Sequence, residues 1–395
     1  MYKRVVIIIH IILSLCLCSQ VSATVDFPTD ETLEVRQITP PKLDKAHLGK
    51  HILCYRPMRQ GTPEMSVEKK GDKWIAHNYG HGGSGWTLGP GAAQYVIGQL
   101  EQKLNANKLD KNTPIAVIGG GVLGLFSALE LLDRGYQNIT MVAQSFDDLT
   151  SHNAGGLLAP VSMDNHPDIQ PLIDKIGIDA YLFYKKIAEG KNTLIPNGAV
   201  IIPTYFENRE ESGLEPYVGK VMQPAKDVLL DFKNGTKRKM VAYDDGIFMD
   251  TGSLMVSLKK ALEGKVKFEK RTVNDFSELK QNVIVNCTGN GAKELNKDNN
   301  MIPVQGHLVM LKDQVLKDLQ YMILVYFKKE TTNSGFPVKR SFYIFPKKLP
   351  GSPPQDIGVV GGTFIEGALP NTPNLEEFKI MMEGAKRFYG IDKTN

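Results

Sequence analysis

The chain has 395 residues, of which 42% are hydrophobic and 23% charged, and its net charge is +4. This composition excludes a disordered chain and a membrane-embedded one, and the length allows two domains or one large α/β unit. The small positive charge does not indicate nucleic-acid binding, because half of it, Lys3 and Arg4, lies in a segment that we expect to be removed.

Residues 1–23 have the pattern of a secretory signal, with a basic start, an apolar stretch and small residues before the cleavage site. A transmembrane anchor is the alternative, but the apolar stretch is short for a span and His10 interrupts it. Leu15 and Leu17 stand where a lipoprotein signal would have small residues. We therefore expect cleavage near Ala23, export to the periplasm or outside the cell, and no membrane span afterwards.

Two of the four cysteines lie in this signal segment. Cys54 and Cys287 remain, which are too few for a disulfide framework. Both stand in apolar, strand-like runs, so we expect buried free thiols rather than a bridge or a nucleophile.

The region after the signal begins with a polar, proline-containing stretch at residues 24–49, which predicts a leader running over the surface. Strands are predicted at residues 52–55 and 73–76. The glycine-rich residues 77–91 predict a loop, and apolar residues at helical spacing predict a helix over residues 92–104.

The most distinctive segment of the chain is HNYGHGGSGWT at residues 77–87. Its glycines allow backbone to lie flat against a ligand, and a helix that follows directs its positive end at that ligand. A metal site formed by His77 and His81 is the competing interpretation. We expect no metal, because a loop this rich in glycine does not place the two imidazoles on one helix face and no third ligand stands nearby.

A glycine fingerprint, Gly119-x-Gly121-x-x-Gly124, lies between an apolar run at residues 115–118 and a helical pattern, with a β-branched run at residues 139–142. In such a unit the glycines make the turn, let the backbone approach a pyrophosphate and let the helix pack on the strand. The pyrophosphate then lies at the helix N-terminus, which favours an anion. An ordinary turn is the alternative, and the motif alone does not distinguish FAD from NAD.

Further loops follow at the ends of predicted strands. Gln144 stands where such folds usually carry an acid for the ribose hydroxyls. TSHNAGGL at residues 150–157 is compatible with a second cofactor contact and equally with a plain surface loop. A buried strand at residues 282–287 ends in Thr288-Gly289, a turn of the kind that closes on a cofactor at the carboxyl edge of a parallel sheet.

The second half of the chain is rich in strand patterns. Asn234-Gly235 between apolar runs predicts a hairpin. Strands are predicted at residues 304–311, 321–327, 341–345 and 357–363, and helices at residues 170–190, 253–262 and 378–389. The clustered strands predict a second, antiparallel sheet.

Together these segments resemble the FAD-dependent D-amino-acid oxidase family, which includes glycine oxidase and D-aspartate oxidase. The resemblance is carried by VIGGGVLGL, by VNCTGNGA, by FYIFP with VVGGTFIEG, and by YRPMR with HNYGHGGSGWT. It covers roughly residues 50–370, and HNYGHGG is far more specific than the glycine fingerprint.

The order of the motifs differs from that of the family, in which the arginine strand and HNYGHGG come last. Here they come first, so the chain resembles a circular permutant, which exposed loops tolerate. We expect the region before His51 and the region of Asn395 to lie close together in the fold.

The resemblance implies an α/β fold, with a Rossmann-like FAD-binding domain on a parallel central sheet and a substrate domain on a mainly antiparallel sheet. The expected segments are the signal at residues 1–23, the leader at 24–49, the FAD-binding domain at 50–168 and 265–305, and the substrate domain at 169–264 and 306–395, to which the Arg56 strand is added.

The resemblance also implies roles at the substrate. Arg56 would clamp the substrate carboxylate through two parallel hydrogen bonds, and the hydroxyl of Tyr343 would share that carboxylate. By position alone Arg56 is a surface arginine beside a proline, and Tyr343 is an aromatic core residue. The backbone carbonyl of Gly83, or that of its neighbour Ser84, would hold the amine.

FAD is the implied cofactor. Residues 82–87 would cover the pyrimidine edge of the flavin, Val273 would contact adenine through its backbone, and Thr288 with Gly289 would close over the cofactor. The expected cofactor-binding residues are Gly82, Gly83, Ser84, Gly85, Trp86, Thr87, Gly119, Gly121, Val122, Leu123, Gly124, Gln144, Ser151, His152, Gly155, Gly156, Leu157, Val273, Thr288 and Gly289.

The chain departs from the family pattern in three places. Gln144 replaces the ribose-binding acid, which would weaken FAD binding. Ser84 and Trp86 alter the loop that faces the substrate. Lys339 and Arg340 lie where the family has a short mobile loop with another tyrosine. On an extended strand Lys339 shares a face with the tyrosine four residues on, so it either reaches an acidic substrate side chain or faces solvent.

The implied reaction is oxidation of a D-amino acid, or of a glycine-like amine acid, by hydride transfer to the flavin, giving a 2-oxo acid, ammonia and peroxide. The expected partners are a small amino-acid substrate and oxygen or another electron acceptor. One alternative is an exported dehydrogenase that uses a different acceptor, and another is a catalytically silent protein that keeps the fold for binding. An NAD-dependent enzyme would leave HNYGHGG without a role.

Overall fold

The computed structural model describes residues 33–391, so the predicted signal at residues 1–23 lies outside the described residues. The strands are β1 (Glu34–Gln37), β2 (Leu48–Arg59), β3 (Val67–Lys70), β4 (Lys73–His77), β5 (Ile115–Ile118), β6 (Ile139–Ala143), β7 (Ala199–Ile201), β8 (Thr204–Phe206), β9 (Lys226–Asp231), β10 (Lys237–Tyr243), β11 (Ile247–Met249), β12 (Lys267–Lys270), β13 (Val283–Asn286), β14 (Met301–Leu311), β15 (Met322–Thr331), β16 (Pro337–Lys348) and β17 (Ile357–Glu366). The helices are α1 (Gly85–Ala106), α2 (Val122–Asp133), α3 (Thr150–Asn153), α4 (Gln170–Ala188), α5 (Thr251–Leu262), α6 (Ala292–Leu295) and α7 (Glu376–Tyr389).

A parallel sheet forms one layer, with strand order β12-β6-β5-β13-β4-β3. The strands from β12 to β4 run parallel, and the edge strand β3 is antiparallel. Strands β5, β6 and β13 are buried over their whole length, as expected for short apolar runs covered on both faces. The predicted parallel central sheet is confirmed.

Three turns open at one edge of this sheet. The last residues of β4, β13 and β5 are neighbours, since Asn286 pairs with His77 on one side and with Ile118 on the other. The chain leaves these strands through the turns at residues 78–84, 287–289 and 119–121. Because the strands are parallel and in register, the two glycine-rich turns converge on either side of the turn after β13.

Helix α1 begins earlier than the sequence pattern predicts. It starts at Gly85, after a 3-10 turn at Gly82–Ser84, so the prediction of a loop up to residue 91 is wrong. The glycines that suggested a loop instead permit close packing, because a Cβ on Gly91 would lie 2.2 Å from the carbonyl oxygen of Ile176 in α4. Glycine is a poor helix former in isolation, and here tertiary packing decides the conformation.

A larger sheet has the order β1-β9-β10-β8-β15-β16-β17-β14-β2. Its pairs are antiparallel except β1–β9 and β8–β15, which confirms the mainly antiparallel second sheet. Strand β16 alternates, because Phe342 and Ile344 pack with α7 while Tyr343 and Phe345 face the core shared with the parallel sheet. The catalytic candidate Tyr343 is thereby directed toward the three turns.

The predicted leader is partly regular structure. Residues of β1 pair in parallel with β9 at the sheet edge, and Leu43 is buried, with 1% of its surface exposed. The prediction of a segment that only runs over the surface is therefore wrong for this part. Strand β1 is polar and only four residues long, so its sequence carries no hydrophobic strand pattern. It forms because β9 offers an unpaired edge to which it can hydrogen-bond.

The two ends of the described range contribute to one hydrophobic cluster. Ile38 and Leu43 share it with Phe388 and Tyr389. The rings of His51 and Phe378 meet edge to face, with 4.8 Å between centroids. Asn395 lies outside the described residues, and the circular permutation stays a prediction. So does the division into two domains, since the chain from Glu34 onward forms one compact unit.

Two smaller predictions, on a hairpin and on the cysteines, are confirmed by the structure. Strands β9 and β10 form the hairpin expected around Asn234-Gly235. Cys54 and Cys287 are buried and unbridged, as expected. Within residues 33–391, no helix combines the length and the apolar character that crossing a membrane requires.

Candidate active site

A cavity of about 630 Å³ lies where the three turns meet the large sheet. Its walls come from the turns after β4, β5, β6 and β13, from the loop at residues 153–163, and from β2 and β14–β17. This volume is typical of sites that enclose a small molecule or a cofactor. The cavity therefore joins the glycine fingerprint to the strands that carry Arg56 and Tyr343.

The fingerprint turn has no room for side chains. Gly119 has φ +114°, and a Cβ there would lie 2.3 Å from the carbonyl oxygen of Cys287. A Cβ on Gly120 would lie 2.5 Å from the carbonyl oxygen of Ser145. A Cβ on Gly124 would lie 2.0 Å from the carbonyl oxygen of Gly119, so this glycine lets α2 close on the turn. This is the geometry by which such turns bring backbone against a pyrophosphate.

Most of the expected cofactor-binding residues line this cavity. They are Gly82, Gly83, Gly85, Trp86, Gly119, Gly121, Val122, Leu123, Gln144, Ser151, Gly155, Gly156, Leu157, Val273, Thr288 and Gly289. The indole N–H of Trp86 donates to the carbonyl of Ser151 at 2.9 Å, and the hydroxyl of Ser151 accepts from the amide of Val122 at 3.0 Å. The loop after β6 is thus tied to both glycine-rich turns.

Four of the expected residues lie outside the lining. The buried hydroxyls of Ser84 and Thr87 donate to the carbonyls of Val161 and Ala159, at 2.6 Å and 2.9 Å, so they brace the neighbouring loop. Gly124 packs helix against turn, as described above. His152 accepts the amide of Leu149 through Nδ1 at 3.1 Å. The hydroxyls of Ser84 and Thr87 therefore support the site from behind, because they are engaged within the protein.

Arg56 reaches the cavity from β2. Its guanidinium lies beside Gly306, where a Cβ would stand 2.8 Å from Cζ. Its Nη1 donates to the backbone carbonyl of Thr363 at 2.9 Å. Among the described residues that line the cavity there is no aspartate or glutamate, so no carboxylate of the lining neutralises this half-buried cation.

Tyr343 lies beside it. Its ring covers Gly361, where a Cβ would stand 2.1 Å from Cζ, and it stacks on Phe345 with 4.5 Å between ring centroids. Burial raises the pKa of Tyr343 to about 12, against the opposing effect of the charge of Arg56. At neutral pH the hydroxyl is therefore a proton donor next to the guanidinium.

A buried network fixes Thr363, whose carbonyl accepts the hydrogen bond from Arg56. The amide of His307 donates to the hydroxyl oxygen of Thr363 at 2.9 Å, and this oxygen lies 2.7 Å from Nδ1 of the same imidazole. Nε2 of His307 lies 3.0 Å from the carbonyl of Pro373, which only accepts, so Nε2 carries the proton and the threonine hydroxyl donates to Nδ1. Burial lowers the pKa of His307, which favours this neutral form.

The lining has a net positive character. Arg56, Arg271 and Lys339 are all part of it, and the described lining residues include no acid. A concave wall of this kind attracts anions such as a pyrophosphate or a carboxylate. Arg271 lines the end of the cavity that contains Gln144, since the backbone amide of Arg271 donates to the carbonyl of Ala143 at 3.0 Å.

The two histidines considered for a metal have different surroundings. Nε2 of His77 lies 3.2 Å from a carboxylate oxygen of Glu68, and Nδ1 lies 3.2 Å from the amide nitrogen of Asn286. His81 lines the cavity, 1% of its surface is exposed, and neither ring nitrogen has a hydrogen-bond partner among the described residues. No group of three metal-ligating side chains occurs within residues 33–391.

Sequence reasoning missed part of the site. Gly306 and Gly361 make the space for the two catalytic candidates, and glycines within predicted strands were the signal that could have shown this. Other lining residues that carried no motif are Ser162, Met163, Arg271, Leu308, Leu324, Tyr326 and Ser341. They come from distant segments and meet only through strand pairing.

Comparison with known proteins identifies the family. The model of the DAO family of FAD-dependent oxidoreductases matches residues 114–394, and the chain belongs to this family. The chain is 28% identical over 210 residues to a D-amino-acid oxidase of Dictyostelium discoideum, which covers 50% of this chain and 57% of that protein. A D-amino-acid oxidase of Streptomyces coelicolor is 26% identical over 208 residues, covering 52% and 61%. The chain thus matches less than two thirds of the length of these relatives.

Among solved structures, glycine oxidase from Geobacillus kaustophilus has 18% identity and a TM-score of 0.47, over 65% of this chain and 73% of that one. L-proline dehydrogenase from P. horikoshii has 16% identity and a TM-score of 0.48, over 70% and 77%.

The family resemblance predicted from the sequence is confirmed, and so is FAD as the cofactor. The residues present fit this group. The side-chain-free turn at residues 119–121 suits the pyrophosphate, and the acid-free lining suits its charge. Gln144, Arg271 and Val273 would then hold the adenosine end, and residues 82–86 the flavin end.

Proposed function

We propose that this FAD-dependent oxidoreductase oxidises the α-carbon–nitrogen bond of a D-amino acid. The observation that carries the proposal is that Arg56 and Tyr343 line one cavity whose described lining has no acid. A half-buried guanidinium without a carboxylate partner is a receptor for one, and an amino acid supplies it.

Arg56 and Tyr343 bind and orient the substrate. Nη1 of Arg56 is held by the carbonyl of Thr363, so the remaining N–H groups are available for two parallel hydrogen bonds to the α-carboxylate. The protonated hydroxyl of Tyr343 donates to the same carboxylate. Fixing the carboxylate at two points fixes the α-carbon, and such positioning lowers the barrier of the step that follows.

The backbone of the turn before α1 completes the substrate site. Gly83 lines the cavity, and the peptide that carries its carbonyl is held by the amide of Ser84, which donates to the carbonyl of His81 at 2.9 Å. The carbonyl of Gly83 or of Ser84 would accept a hydrogen bond from the substrate amine.

FAD, when bound, supplies the hydride-accepting ring. Overall, a D-amino acid, water and oxygen give a 2-oxo acid, ammonia and hydrogen peroxide. The chain contributes orientation and electrostatics, and oxygen is the proposed acceptor.

Anaerobic bleaching of the flavin absorbance tests this proposal, with a panel of D- and L-amino acids. Arg56→Met should lower the rate of bleaching at low substrate on the order of a hundredfold while FAD stays bound, because a charge-assisted bidentate pair is lost. Arg238→Met is the matched control, since Arg238, like Arg56, donates to backbone carbonyls but lies outside this cavity. If the Arg56→Met protein is bleached as fast as the wild type, Arg56 does not bind the substrate carboxylate.

Peroxide release in air tests the acceptor separately. Bleaching by a D-amino acid without peroxide would favour a dehydrogenase with another acceptor. A protein that binds FAD and is bleached by no amino acid would favour a silent binding protein.

We also propose that the protein is exported, on the basis of residues 1–23. The N-terminal sequence of the mature protein tests this, and an uncleaved chain would contradict it.

A further inference from the structure

A second cation stands in the substrate part of the cavity. Lys339 and Ser341 lie on β16 on the same face as Tyr343, and all three line the cavity. Nζ of Lys339 lies 5.1 Å from the centroid of the Phe364 ring, and Cζ of Arg56 lies 6.0 Å from the same centroid. The proposed carboxylate clamp and a second positive charge therefore lie near the same phenyl ring.

The charge of Lys339 is only weakly compensated within the protein. Its nearest carboxylate is that of Glu366, at 3.8 Å, which exceeds hydrogen-bonding distance. The side chain of Lys339 is 52% exposed and that of Glu366 is 36% exposed, so water screens this pair. The described residues of the cavity wall include no acid that could pair with Lys339 instead of Glu366.

We propose that the substrate is a D-amino acid with a second carboxylate in its side chain, with the α-carboxylate on Arg56 and the side-chain carboxylate on Lys339. This inference rests on the proposed function and specifies the substrate class. Both cations lie within 6.0 Å of one ring centroid, so they are close enough for the two carboxylates of one small substrate to face them. Aspartate-like and glutamate-like skeletons are the candidates.

The same arrangement selects against other substrates. A neutral side chain leaves Lys339 hydrated and gains no charge-assisted bond. A basic side chain meets two like charges, Lys339 and Arg56, which disfavours it further. The expected order of preference is therefore acidic, then neutral, then basic.

Matched substrates measure the contribution of Lys339 directly. We expect kcat/KM of the FAD-loaded protein for D-glutamate to exceed that for the isosteric D-glutamine by about tenfold, and likewise for D-aspartate and D-asparagine. Lys339→Met should abolish this ratio and Lys339→Arg should retain it. Lys237→Met is the matched control, because Lys237 is also 52% exposed and has its nearest carboxylate at 3.9 Å, but lies outside the cavity lining.

A binding measurement supplies a readout without turnover. Titration calorimetry of the FAD-loaded protein should show tighter binding of succinate than of butanoate in the wild type. The difference should disappear in Lys339→Met and persist in Lys237→Met. Equal affinities in the wild type, or an unchanged difference in Lys339→Met, would overturn the inference.

Failure of the proposed function has a different signature. If no D-amino acid bleaches the flavin and Arg56→Met leaves butanoate binding unchanged, the clamp itself is absent. If D-glutamine is oxidised as well as D-glutamate through an intact clamp, only the acidic substrate class is wrong.

Discussion

The guanidinium of Arg56 occupies the space that a methyl group on Gly306 would fill, with 2.8 Å between that methyl position and Cζ. Gly361 has the same relation to the ring of Tyr343, at 2.1 Å from Cζ. Glycine within a strand weakens the strand, because it adds backbone entropy and no packing. Both glycines are therefore explained by the space that the two substrate-binding side chains need.

Alanine at these positions should separate binding from stability. In Gly306→Ala the new methyl group meets the flexible end of Arg56, so we expect KM to rise by about tenfold with little loss of stability. In Gly361→Ala it meets a rigid ring stacked on Phe345, so the free energy of unfolding should fall by about 1–3 kcal/mol. Steady-state kinetics and urea unfolding measure the two effects.

The control for both variants is Gly98→Ala in α1, where the nearest atom to the new Cβ is Nη2 of Arg134 at 3.6 Å. This variant should keep the wild-type KM. An unchanged KM in Gly306→Ala would show that Arg56 is not positioned by this glycine.

Buried His81 makes stability depend on pH. Burial lowers its pKa from 6.5 to about 4. Between these pKa values the unfolded chain binds more protons than the folded one, so the free energy of unfolding rises with pH. The stability contributed by neutral His81 is therefore lost progressively as the pH falls below 6.5. At pH 5 this loss amounts to about 2 kcal/mol.

His81→Leu should remove this contribution and the two unpartnered ring nitrogens together. We expect the variant to be more stable than the wild type at pH 5, and to lose about 2 kcal/mol less between pH 7.5 and pH 5. Urea unfolding at both pH values measures this. A variant with the wild-type pH dependence would show that His81 is hydrated in the folded protein.

The predictable parts of this structure are those with local signals. The runs that became β5, β6 and β13 are continuous and apolar, as strands buried on both faces must be, and the fingerprint marks the turn between β5 and α2. The start of α1 was missed, because its glycines and Pro90 read locally as a loop, whereas Gly89 and Gly91 allow close packing on α2 and α4.

The substrate end of the site had no such local signal. Arg56 meets Thr363 across 307 positions of sequence, and only sheet pairing brings them together. Lys339 and Tyr343 were expected to share a face, and both line the cavity. The space for Arg56 and Tyr343 depends on Gly306 in β14 and Gly361 in β17. The sequence pattern of one strand does not reveal which glycine on another strand faces it.

Gln144 should limit the affinity for FAD. It lines the cavity at the end of β6, where an acid would make charge-assisted bonds to ribose hydroxyls. Gln144→Glu should lower the Kd for FAD about fivefold, since a bond to a carboxylate is roughly twice as strong as one to an amide. Fluorescence titration of the apoprotein measures this. Gln144→Leu should raise the Kd, and tighter binding by this variant would exclude a ribose contact.

Tyr184 and Pro90 should be energetically coupled through one carbonyl. Pro90 lies inside α1 and has no N–H for the carbonyl of Trp86, and the buried hydroxyl of Tyr184 donates to that oxygen at 2.8 Å. Tyr184→Phe should therefore lower the free energy of unfolding by about 1–3 kcal/mol, because it leaves a buried acceptor unpaired.

In a Pro90→Ala background the new amide can bond to the carbonyl of Trp86, so Tyr184→Phe should cost at least about 1 kcal/mol less there. Urea unfolding of the four proteins of this double-mutant cycle measures the coupling. Tyr181→Phe, on the same helix, is the control, because its hydroxyl donates to the carbonyl of Asp245 at 2.9 Å and its cost should not depend on residue 90. Equal costs of Tyr184→Phe in both backgrounds would mean that the tyrosine hydroxyl does not replace the hydrogen bond that Pro90 removes.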